Sequence, residues 1–166
     1  TGLGPLWVDG FFYVTTGETT RKGRNLARDA RCTLGISTED FDLSADADAA
    51  MVTDPAVVAD LAGRWNAGGW PASPDASGVA LTAEFSAPSA GPPPWRVYRL
   101  TPRAITVVLA AAPGGATRWT REQVVSRAEL LAHISAVHGA VEPVGAQGSD
   151  PAERFHRPRN QGLAVH

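Results

Sequence analysis

The sequence predicts a mainly β domain with helices, an α+β fold built as an antiparallel barrel with helical decoration. Two observations carry that expectation. Short aromatic and β-branched runs recur between residues 5 and 112, and only three stretches of the chain have helical spacing. With 166 residues the chain can build one domain with a sizeable core, and nothing in its length demands a second.

The elements follow in order. "PLWV" and "FFYVTT" flank Asp9-Gly10, a dipeptide that favours a two-residue hairpin turn. "TTRKGRNLARDA" then reads as a short helix, with Thr19 or Thr20 as N-cap and Leu26, Ala27 and Ala30 on its apolar side. "RCTLGIST" and "FDLSADADAAMV" return to strand character. A second helix is capped by Thr53, has Pro55 at its first position, and repeats Val57, Val58, Leu61, Ala62 and Trp65 at helical spacing. It ends near Gly68-Gly69.

"GVALTAEF" and "WRVYRLTPRAITVVLAAA" are later strands, joined by "SAPSAGPPPW", whose prolines predict an extended, polyproline-like connection. "TREQVVSRAELLAHISAVHG" is a third helix over 120–138, with Thr120 and Gln123 at capping-box spacing. Residues 139–166 are rich in Gly, Pro and polar side chains and predict a loose tail.

Composition narrows the function. Apolar residues make up 43%, charged residues 19%, and the net charge is −2, values of an ordinary globular protein. That balance speaks against bulk nucleic-acid binding, so any basic function must be local. One cysteine, Cys32, allows no internal disulfide, and no apolar run is long enough to span a bilayer, so a cytoplasmic location is the expectation.

The local basic feature lies in "FFYVTTGETTRKGRN". Arg21, Lys22 and Arg24 fall in the opening turn of the first helix, where the dipole favours acids instead. Each such cation costs about 0.3–1 kcal/mol with nothing negative nearby. A phosphate reverses that sign, gaining backbone N–H donors, the dipole and charge-assisted side-chain bonds together. Gly17 would let the chain turn close to such a ligand. The alternative is a solvated basic face formed by Arg21, Arg24 and Arg28, with Glu18, Asp29 and Glu39 as partners. Because surface charge costs so little, physics alone favours that alternative.

Other chemistry finds less support. Asp42, Ser44, Asp46 and Asp48 alternate with apolar residues and read as the solvent side of a strand. His133 and His138 are not on one helix face, His156 and His166 lie in the predicted tail, and no HExxH or CxxC spacing occurs, so no metal is expected. Cys32 reads as a small core residue. Trp95 and Trp119 pack in a core or interface, or wall a flat aromatic ligand; spacing does not choose between these. No GxSxG elbow or other catalytic motif is present, and no side chain is an obvious general acid or base.

The ordered series "WVDGFFYVTTGETTRKGRNLARDARCTLGIS", "SAPSAGPPPW", "VYRLTP" and "GGATRW" resembles the pyridoxamine 5'-phosphate oxidase-like family, including its actinobacterial flavin- and deazaflavin-dependent members. The resemblance covers residues 1–119, with the triplet Thr20-Arg21-Lys22 at its centre and Ala30 where proline is usual. It implies an antiparallel split β-barrel of the FMN-binding type, a homodimer with cofactor at the subunit interface, and oxidoreductase activity on a small organic substrate. The implied cofactor is FMN or coenzyme F-420, and the Ala-, Gly-, Pro- and Arg-rich composition leans toward F-420. By the same resemblance Arg21 and Lys22 bind a cofactor phosphate, Thr20 belongs to the triplet, and Thr15 and Thr16 line the ring and ribityl region. Asn25, Arg118 and Trp119 lie near the site. A non-catalytic flavin carrier is the other function the resemblance allows. Two departures stand out. The family has a helix and a strand hairpin ahead of this point, so an incomplete barrel is expected, and relatives with "ATRW" tend to stop soon after it, whereas this chain continues to residue 166.

Overall fold

The computed structural model describes residues 4–110 and 114–120, together with the backbone of 160–165. The architecture is a mainly antiparallel β-sheet with two α-helices. β1 (Leu6–Val8) and β2 (Phe11–Thr16) form the hairpin, and α1 (Arg21–Arg28) leads to β3 (Arg31–Ser37) and β4 (Phe41–Met51). α2 (Pro55–Ala67), the two-residue strands β5 (Ser73–Pro74) and β6 (Leu81–Thr82), β7 (Arg96–Leu109), β8 (Gly115–Thr120) and β9 (Asn160–Val165) complete the order.

The sheet runs β1-β2-β7-β4-β3-β9, with β8 also on β7. β7 and β4 are its long central pair. β4 occupies one edge of β7, so β2 and β8 share the other: β2 pairs with Arg96–Leu100 and β8 with Ala104–Leu109. Pro102 falls in the gap between these two partners, beside a register shift opposite Asp46 and Ala47, where a residue without an N–H is tolerated. Among the described residues the sheet does not close into a barrel: its end strands, β1 and β9, do not pair with each other.

Strand alternation builds two cores. Phe12, Val14, Leu34, Leu43, Ala45, Tyr98, Leu100 and Ile105 lie on one face, joined by Leu26 of α1. Leu6 and Val97 lie on the other, under Val58, Leu61, Ala62 and Trp65 of α2. The Asp9-Gly10 turn has φ of 49° and 81°, the left-handed pair that a twisted hairpin requires.

Several expectations need correction. The cap of α2 is Asp54, not Thr53, because the Asp54 carboxylate accepts from the Ala56 N–H at 2.9 Å. Val57 is 37% exposed and lies off the packed stripe. Ala27 of α1 and Ala30, which lies beyond its end, are exposed, and the buried side of the helix is Lys22, Gly23 and Leu26. Only Leu81–Thr82 of "GVALTAEF" forms a strand. "SAPSAGPPPW" is not uniformly extended: Pro88–Ala90 is a 3-10 turn and Pro93-Pro94 is cis. Thr120 ends β8 instead of capping a helix, and the remainder of the third helix lies outside the described residues. Of the predicted tail, Asn160–Val165 pairs with β3, and the rest is likewise outside them. Among the described residues no helix is long and apolar enough to cross a membrane.

Asp54→Ala should cost about 1 kcal/mol of stability in urea unfolding, while Thr53→Ala stays within a few tenths. Equal losses for both would contradict this cap.

Candidate anion site at the start of α1

The β2–α1 junction is organised by one hydroxyl. Thr20 caps α1 and accepts from the Gly23 N–H at 3.0 Å, while its own proton goes to the Gly17 carbonyl at 2.8 Å. A hydroxyl has one proton, so in the 2.8 Å contact with Thr16 the Thr16 hydroxyl must donate and Thr20 accept. Thr20 is thereby fully used, and Thr16, only 1% exposed, keeps acceptor capacity.

The turn is sterically closed. A Cβ at Gly23 would strike the carbonyl oxygens of Gly17 and Glu18, and one at Gly17 would lie 2.8 Å from the Ala90 oxygen. Gly17 donates its N–H to that same Ala90 oxygen at 2.9 Å. Gly91, at φ 72°, lies against the Thr20 methyl. The strap around Pro88–Gly91 therefore clamps the junction from outside. On the other side Glu18 pairs with Arg96 at 2.9 Å.

Against this scaffold the three cations separate. Arg21 and Arg24 are exposed, and Arg24 donates to the Thr19 carbonyl at 2.7 Å. Lys22 is only 8% exposed, and its Nζ is buried with no hydrogen-bond acceptor among the described residues. Burial pushes its pKa below the ordinary lysine value. Lys22 is the second residue of α1, so its backbone lies in the first turn. There the N–H groups of Arg21 and Lys22 lack intrahelical acceptors, since the cap hydroxyl serves Gly23 and the cap carbonyl serves Arg24. The first turn of α1 thus carries the helix dipole, amides without intrahelical acceptors, an exposed guanidinium and a buried ammonium. Their common complement is an anion.

The site residues suggested by sequence fall into two groups. Thr16, Thr20, Arg21, Lys22 and the half-buried Asn25 lie at the junction. Thr15 borders it in the chain, but strand alternation turns it to the opposite face from Thr16. Arg118 and Trp119 lie on β8, beside Thr106 and Ile105, in the other half of β7 from Arg96. Arg118 is engaged there by Thr106 at 3.1 Å and Asp46 at 3.7 Å, while Trp119 is half-buried against the first core. One copy of the chain does not bring these groups together.

The remaining candidates have structural roles. Asp46 and Asp48 carry Arg118 and Arg103 on the solvent side of the sheet. Cys32 is buried, its thiol pushed up to about 11 chiefly by desolvation. Trp95 is buried in the second core and donates to the Gly91 carbonyl at 2.8 Å, which secures the strap. That strap and the Glu18–Arg96 pair escaped sequence reasoning, because both join residues more than seventy positions apart in the chain. Only Gly91 within "SAGPPP" hinted at a close approach.

No protein-family profile and no curated protein matches the chain. Among solved structures, one provisionally named general stress protein 26, from Jannaschia sp. CCS1, aligns with a TM-score of 0.39 and 13% identity. The alignment covers 99% of this chain and 81% of that one. At that degree of likeness neither fold nor function transfers.

Two outcomes test the junction. Gly23→Ala should destabilise the protein by about 1–3 kcal/mol in chemical denaturation through overpacking. Helix propensity alone would predict a gain of about 1 kcal/mol, so the sign decides. Lys22→Met should stabilise the ligand-free protein by about 1–3 kcal/mol, because it removes a buried unsatisfied donor. It should also abolish a rise in stability with pH. The unfolded lysine holds its proton to higher pH than the folded one, so stability climbs between the two values. Thermal melts against pH would read both effects.

Proposed function

We propose that the start of α1 holds the phosphate of a flavin-type cofactor, FMN or coenzyme F-420, in an oxidoreductase of the split-barrel class acting on a small organic substrate. The observation that carries this reading is Lys22 Nζ, buried without an acceptor among the described residues, on the second residue of a helix. A solvated basic face accounts for Arg21 and Arg24 but not for Lys22, because an exposed lysine would keep its hydration. The sequence resemblance points to the same triplet, Thr20-Arg21-Lys22.

The donor set fits a phosphate. Lys22 would supply a buried point charge, Arg21 a guanidinium, and the amides of residues 21 and 22 the oriented donors. Thr16 adds a hydroxyl oxygen for a neighbouring ribityl group. When bound, the cofactor supplies the hydride chemistry. The chain anchors its phosphate, orients it through the clamped Thr20 junction and keeps water from Lys22.

A homodimer belongs to this reading. Arg118 and Trp119 lie along the other half of β7, so a ring pocket combining them with Lys22 would draw on a second copy. Thr15, which the resemblance gives with Thr16 to the ring and ribityl region, faces the other side of the sheet and is left out of that region in this reading.

Arg21→Ala combined with Lys22→Ala should weaken FMN or F-420 binding at least tenfold, since one charge-assisted bond is worth about 1.5–3 kcal/mol. Fluorescence titration checks this, and an unchanged dissociation constant would remove the phosphate assignment. Turnover of reduced cofactor with an added acceptor distinguishes an enzyme from a flavin carrier.

A further inference from the structure

We infer that anion binding at the start of α1 is coupled to proton uptake by Lys22, so the site loads its ligand less tightly as pH rises. The inference rests on the phosphate reading above and concerns regulation of that same site.

Among the described residues the geometry gives Lys22 no counter-charge. On its own helix Arg21, Arg24 and Arg28 are exposed and of like sign. Glu18, in the preceding turn, is held by Arg96 of β7 at 2.9 Å. Asp29, at the end of α1, is held by Arg31 at the start of β3 at 2.8 Å. Tyr98 of β7 is buried, and desolvation raises its pKa, keeping the phenol neutral. Cys32 of β3 is a buried neutral thiol. β9, which packs against α1, has no titratable residue in Asn160–Val165. The strap residues Pro88–Gly91 have none either. Among the described residues no carboxylate remains to hold a proton on the Lys22 amine, and the helix dipole opposes its charge as well.

A bound dianion reverses both effects. The amine that was easiest to deprotonate becomes a buried donor facing negative charge, so its proton is held to higher pH. Between those two conditions, binding consists of one anion plus up to one proton taken from solvent, with no other bond made or broken. Affinity then falls with rising pH, at a limiting slope of tenfold per pH unit.

Calorimetric titration of the full chain with FMN, repeated from about pH 7 to about pH 10 in buffers of different ionisation enthalpy, reads this directly. A phosphate monoester loses its second proton at about pH 6, so over this range the ligand's phosphate contributes little. The expected result is proton uptake that grows with pH toward one per FMN. In Lys22→Arg that uptake should vanish while binding persists, because a guanidinium does not titrate here. Lys22→Met serves as a second variant: it should bind more weakly, with no uptake. Binding without uptake in the parent protein, or equal uptake in Lys22→Arg, overturns the inference and leaves the phosphate site standing. Failure of both FMN and inorganic phosphate to bind at any pH removes the site and the linkage together.

Discussion

Burial of the Lys22 amine at the start of α1 is the constraint around which the junction is arranged. A helix start already carries partial positive charge, and a desolvated lysine adds to it without compensation from the described residues. The fold sustains this because its surroundings are over-determined. Thr20 uses both lone pairs and its proton, Gly23 admits no Cβ, and the Pro88–Gly91 strap pins Gly17 through its amide. Rigidity of this kind suits a binding site, since the donors are oriented before any ligand arrives.

The sheet explains why the junction lies where it does. β4 runs along one edge of β7, which forces β2 and β8 to divide the other edge between them. α1 therefore leaves β2 at the Arg96 half of β7, crosses the sheet with Leu26 in the first core, and enters β3 opposite Asp48. The same division carries Arg118 and Trp119 to the other half. A pocket that included them would draw on a second chain, so the proposed dimer would follow from strand topology and not from surface composition.

Much of the local structure was legible because it rests on local chemistry. Asp9-Gly10 announced its turn through the backbone conformations it tolerates, Thr19 or Thr20 marked the start of α1, where Thr20 is the cap, and Pro55 marked that of α2. The errors came where burial overrode residue type. Ala27 and Ala30 read as the inner face of α1, yet Lys22 and Gly23 lie there, because close backbone approach and not hydrophobicity selected the packed side. The pairing of Asn160–Val165 with β3 could not be read from Asn, Gln and Gly, residues poor in strand preference. The cationic triplet was visible as an electrostatic anomaly. Which of its members is buried was not, since lysine is almost never placed inside.

The central claim is that the start of α1, with Lys22 behind it, receives a phosphate. Titration of ¹⁵N-labelled protein with FMN, followed by amide resonances, tests it most directly. The account predicts that the largest shifts fall on Arg21 and Lys22, with Gly23 and the strapped Gly17 following. Saturable shifts confined to other parts of the sheet, with residues 21 and 22 unmoved, would contradict it.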